Sequence, residues 1–68
     1  MIDTNALKAA WVSKGLNQSD VAKMLGISEK TMSQKMKIGV FGSDEMEIMI
    51  DSLEISNPAA IFFAKIVT

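Results

Sequence analysis

The sequence predicts an all-α chain, a compact single domain of five short helices. Three observations predict it. Apolar residues recur at i, i+3 and i+4 in successive windows, which is the helical period. Each window is preceded by Asp, Thr, Asn or Ser, the residues whose side chains satisfy the free N–H groups of a helix start. Glycines stand where the early windows end. With 68 residues there is room for one domain, and no repeat, linker or low-complexity tract interrupts residues 1–68.

The first helix is expected over residues 4–14, where Leu7, Ala10 and Trp11 share a face and Asp3 or Thr4 caps the start. Gly15 follows, where a left-handed residue ends a helix. The second helix opens after Asn17, turns Val21, Ala22 and Leu25 inward, and stops at Gly26. Ser28 caps a third over residues 29–37, with Met32 and Met36 on its inner side. Residues 38–42 contain two glycines and read as a loop. Ser43 is expected to cap the fourth helix. Its first turns carry Asp44, Glu45 and Glu47, which the helix dipole favours there. Met46, Met49, Ile50 and Leu53 form its apolar face, and Ile48 falls off that face. Asn57 followed by Pro58 opens a fifth helix of one or two turns, leading into an apolar tail over residues 61–68.

Composition excludes several kinds of chemistry. Cys and His are both absent, which removes thiolate and imidazole zinc sites, Cys or His nucleophiles and the Ser-His-Asp triad. Asp44, Glu45 and Glu47 are better explained by helix-dipole complementarity than as a catalytic cluster. No enzyme activity, metal or cofactor is expected. No basic segment followed by an apolar run opens the chain, so no signal peptide is expected. The longest apolar stretch, residues 58–64, is too short to cross a bilayer. Without a cysteine framework, a cytoplasmic setting without membrane contact is expected.

The net charge is −1 and the charges are unevenly placed. Residues 1–37 carry six lysines (Lys8, Lys14, Lys23, Lys30, Lys35, Lys37) against Asp3, Asp20 and Glu29, for +3. Residues 38–68 carry Lys65 against Asp44, Glu45, Glu47, Asp51 and Glu54, for −4. Such a split fits one face for a polyanion and another for something else, and also fits two ordinary solvated helix faces.

Residues 18–37 meet the requirements of a helix-turn-helix. Two short helices crossing steeply need a small residue at the crossing, and Ala22 supplies it. The turn needs a residue free to take positive φ, which Gly26 provides. Ile27 plugs the angle and Ser28 restarts the helix. With Met32 and Met36 inside, the outer face of the third helix shows Glu29, Lys30, Ser33, Gln34 and Lys37. Long or hydrogen-bonding side chains of this kind read base edges in the major groove.

These residues resemble a known family. Gly15-Leu-Asn-Gln18, then Val-Ala-Lys-Met-Leu-Gly-Ile-Ser28 and Lys30-Thr-Met-Ser33, look like the lambda-repressor-like (Cro/CI-type, XRE) helix-turn-helix family. The similarity is closest to small phage and prophage regulators of Gram-positive bacteria. Phe41, the fourth helix and Ile61-Phe-Phe63 extend it over most of the chain. The resemblance implies a five-helix DNA-binding domain. It places Gln18 on a phosphate, bracing the recognition helix, and Ser28, Glu29, Lys30 and Ser33 toward bases or flanking phosphates. Gln34 would reach a base edge or a phosphate, and Lys35 and Lys37 the backbone.

Two features depart from that pattern. The chain has no arginine, so the bidentate arginine–guanine contact is absent. Glu29 repels phosphate unless it accepts from a cytosine amino group or pairs with Lys30. Few cations imply weak binding by a single copy and a shallow salt dependence, on the order of −0.9 in slope per phosphate contacted.

Met32, Met36, Met46 and Met49 stand at core spacing and read as core filler, and Trp11 as core beside Leu7. The tail places more apolar residues together than a short helix can bury. Phe62 or Phe63 should close the core. The surplus among Ile61, Phe63, Ile66 and Val67, with off-face Ile48, serves either further burial or an interface. The expected function is a sequence-specific transcriptional regulator of repressor or Cro type, binding operator DNA as a homodimer. The alternative is a protein-interaction module of the same fold, an antirepressor or modulator that binds a second phage regulator.

Overall fold

The computed structural model describes residues 2–63. All regular structure among them is helical: α1 (Thr4–Ser13), α2 (Gln18–Leu25), α3 (Glu29–Ile38), α4 (Ser43–Ser52) and α5 (Pro58–Phe62). The starts of the first three helices follow from side-chain caps. The Asp3 carboxylate accepts from the Ala6 N–H at 3.1 Å. The Asn17 Oδ1 accepts from the Asp20 N–H at 2.8 Å while the Asp20 carboxylate accepts from the Asn17 N–H at 3.0 Å, a reciprocal capping box. The Ser28 Oγ accepts from the Thr31 N–H at 3.1 Å.

The end of α2 shows why glycine stands at position 26. Gly26 has φ +72°, and the reversal it allows lets two N–H groups turn back onto the helix. The Gly26 N–H donates to the Lys23 carbonyl at 3.1 Å and the Ile27 N–H to the Ala22 carbonyl at 3.0 Å. Both bonds satisfy carbonyls that the helix itself leaves free.

The start of α4 differs from expectation. Ser43 is the first residue of the helix, and Gly42, in extended conformation, is the cap. The reason lies in Glu45, whose carboxylate accepts from the Gly42 N–H at 2.8 Å. That bond fixes the entry of the chain one residue earlier and does without a serine cap. At α5, Asn57 holds the cap position but makes no side-chain cap bond, so Pro58 at N1, with its fixed φ, is what favours the turn.

Helix α2 lies at the centre and packs against α1, α3 and α4, while α5 packs on α1. The buried core comprises Leu7, Trp11, Val21, Ala22, Met32, Met49, Leu53 and Phe62, joined by Ile2 and Phe41. Phe62 rather than Phe63 closes it. The extended N-terminal residues link distant parts of the chain. The Ile2 N–H donates to the Gly39 carbonyl at 3.2 Å and the Asp3 N–H to the Ile61 carbonyl at 2.7 Å. Lys14, just after α1, pairs with Glu54, which follows α4 and has a positive φ of 52°. Hydrogen bonding and charge from Lys14 hold the Glu54 carboxyl below its usual pKa. Among the described residues no helix is long and apolar enough to cross a membrane.

Candidate nucleic-acid interface

The unit formed by α2, the turn at 26–28 and α3 is built around Ala22, which is buried and without bulk at the crossing, with Ile27 packed against the core beside it. Helix α3 divides cleanly into two faces. Met32 is fully buried and Met36 half-buried on the inner side. Glu29, Lys30, Ser33, Gln34 and Lys37 are all exposed on the other. They form one stripe along a helix of 10 residues, about 15 Å long. A helix of this diameter and outer face suits the major groove, which is about 12 Å wide.

Gln18, the first residue of α2, donates from Nε2 to the Ser33 Oγ on α3 at 2.8 Å. The amide oxygen of Gln18 and the remaining capacity of the Ser33 hydroxyl stay available to a ligand. Both residues line a cleft of about 310 Å³ with Thr4, Asn5, Lys8, Met36 and Lys37. The cleft thus joins the N-terminal ends of α1 and α2 to the exposed face of α3. Two ammonium groups, hydroxyls, amides and the N-terminal end of α2 suit an anion there.

Thr4, Asn5 and Lys8 were not among the residues expected from sequence to meet DNA. The only local hint is the polar pair Asn5 and Lys8 at i, i+3, which any solvated helix face also shows. Their membership in the site comes from the packing of α1 on α2.

Other expected site residues are placed differently. Lys35 points to α4, where its Nζ lies 3.1 Å from the Glu45 Oε1, with both side chains largely covered. Its charge is engaged inside the molecule. The Ser28 hydroxyl caps α3 and also donates to the Thr31 Oγ1 at 3.0 Å. Glu29 and Lys30 make no ion pair with each other among the described residues, since neighbours at i, i+1 point in different directions.

Of the interface candidates, Ile48 and Phe63 are exposed at 37% and 47%. Ile61 packs partly against the core, and Ile66 and Val67 lie outside the described residues. Val12, Ile38 and Val40 are exposed apolar residues that the sequence pattern did not single out. Ile38, expected in a loop, is instead the last residue of α3 and continues the exposed face of Lys30 and Gln34 at i+4 spacing, while Val40 lies just past Gly39, the left-handed residue ending the helix.

The family model described as bacterial regulatory protein, Fis family, matches residues 1–37. This match covers α1, α2 and all but the last residue of α3, the elements that build the cleft and the exposed stripe. No curated protein and no solved structure matches the chain.

Proposed function

The chain belongs to the Fis family of bacterial regulatory proteins, DNA-binding helix-turn-helix domains and not enzymes, and we propose that it is a sequence-specific transcriptional regulator reading operator DNA through α3. The observation that carries this reading is the exposed stripe of Glu29, Lys30, Ser33, Gln34 and Lys37, braced at its middle by Gln18. Lys30 and Gln34 serve as readers of base edges, with Glu29 as a partner for a cytosine amino group. Gln18, Lys8 and Lys37, grouped around one cleft, neutralise and orient backbone phosphates.

The finer type proposed is repressor or Cro-like, of the kind found in phage and prophage. It is supported by the two further helices and the Phe41 loop that follow the helix-turn-helix. The regulator acts in the cytoplasm as a homodimer, with exposed Phe63 contributing to the surface between copies. Two copies present two recognition helices about 34 Å apart, matching a palindromic operator. Dimerisation compensates for the few cations per copy, because the second recognition helix binds without a second independent encounter. Occupying a promoter excludes polymerase sterically, so repression needs neither catalysis nor cofactor.

The test is selection of duplexes from a random DNA library by the purified full chain at low salt. An enriched motif with two half-sites is expected, and Lys30→Ala should change the motif. Recovery of unenriched DNA would sink the reading. Binding to a second regulator, the alternative role, draws its support from the acidic face of α4.

A further inference from the structure

Helix α4 carries a second surface of different character. Asp44, Glu47, Ile48 and Asp51 follow one another at i, i+3, i+4 and i+7, so they share one face. With Ile50 they line an open groove of about 580 Å³. Asp44, Glu47, Ile48 and Asp51 are exposed, while Ile50 is partly buried and packs on the core. Exposed Ile48 stands among the three carboxylates on this face, while Ile50, two residues on, lies at its edge beyond Glu47. Neither ion pair among the described residues involves these carboxylates, since the lysines there pair with Glu45 and Glu54. Like charges at i, i+3 and i+4 oppose helix formation. Asp44 near the N-terminus of α4 is favoured by the dipole, but Asp51 in the last turn is not.

We infer that this face docks a basic amphipathic helix of a partner protein, with an aliphatic side chain on Ile48 and lysine or arginine against Glu47 and Asp51. Charge selects that occupant. A second copy presenting the same face about a two-fold axis at its centre would set Asp44 of each copy against Asp51 of the other, and this like-charge pairing disfavours it. DNA is excluded from the groove for the same reason, so the face stays available while α3 occupies an operator. Ile48 supplies the apolar anchor, and the carboxylates around it supply orientation and rejection of wrong partners. This assignment deepens the role of second-regulator binding and does not rest on the DNA reading.

The experiment is an NMR titration of the full chain with a synthetic amphipathic helix of leucine and lysine, alongside a leucine–glutamate peptide of the same pattern. Shifts of the amides of residues 44–51, with the lysine peptide alone, are expected. Ile48→Ser and the double variant E47Q/D51N should each weaken binding about tenfold or more, an apolar and a charge effect of the kind a built groove gives. Weakening by the charge variant but not by Ile48→Ser would overturn the proposal, because any acidic surface does that. It would equally be overturned if Ile48→Ser dissociated a dimer in sedimentation. A nuclear Overhauser contact in the free protein between the Ile48 methyls and residues 64–68 would do the same, since the chain's own end would then fill the groove. DNA affinity measured on the same variants should be unchanged, so a failure here is distinguishable from a failure to bind DNA.

Discussion

Gln18 and Ser33, 15 residues apart, are joined by a 2.8 Å hydrogen bond that ties the start of α2 to the middle of α3. The bond holds the exposed face of α3 at a set angle to the cleft beside the start of α2. Because it is exposed, its contribution to stability is modest. A double-mutant cycle of Gln18→Ala and Ser33→Ala should give a coupling of about 0.5 kcal/mol in urea unfolding. Both single variants should weaken operator binding by more than that, since in the proposed binding mode each also removes a group facing DNA. Strictly additive unfolding energies would contradict the brace.

The lysines of α3 divide by partner. Lys37→Ala should leave stability within about 0.5 kcal/mol and lower the salt slope of operator binding by ~0.9. Lys35→Met should do the reverse. It breaks the largely covered pair with Glu45, costing about 0.5–1 kcal/mol, and leaves the salt slope unchanged. Thermal unfolding and binding titrations at several salt concentrations separate the two outcomes.

Position 26 isolates a purely conformational cost. A Cβ built on Gly26 meets nothing within 4 Å, yet the residue sits at φ +72°. Gly26→Ala should therefore destabilise by about 1–2 kcal/mol through backbone strain alone, and Gly26→Asn by less, because asparagine tolerates the left-handed region. Equal destabilisation by alanine and asparagine in chemical denaturation would point to a steric origin instead.

Acid sensitivity should have a component from Glu54. Its carboxyl is held below the usual value of 4.5 by Lys14. A carboxyl whose folded pKa is depressed contributes stability above its unfolded pKa. That contribution is lost as pH falls through the lower folded value. The melting temperature of Lys14→Met should thus fall less steeply than that of the wild type below about pH 4.5, and the two should run parallel above pH 6. Identical slopes in the acid range would show that the pair is energetically silent.

The helices and the helix-turn-helix were legible because their signals are local. Asp3, Asn17 and Ser28 cap within three residues of themselves, and Gly26 acts through its own φ. Ser43 misled because a serine before an acidic run has the form of a cap, whereas Glu45 reaching back to the Gly42 N–H sets the start of α4. The pairing of Lys35 with Glu45 was not legible because its position near the end of α3 says nothing about α4, which comes alongside only when both helices pack on α2.

By itself the sequence determined the helix order, the stripe on α3 and the apolar residues that fill the core, since these depend on spacing within a few residues. Tertiary packing alone decided that Gln18 meets Ser33, that Lys8 and Asn5 join the cleft with Lys37, that Lys35 is withdrawn onto Glu45, and that Ile2 reaches Gly39. The physical reason is common to all four. Each contact joins residues whose helices or loops are set side by side by burial of Leu7, Val21, Met32 and Met49. Burial of apolar area is non-directional. It drives the helices together, while the shapes of the packed side chains decide which polar groups then come within reach.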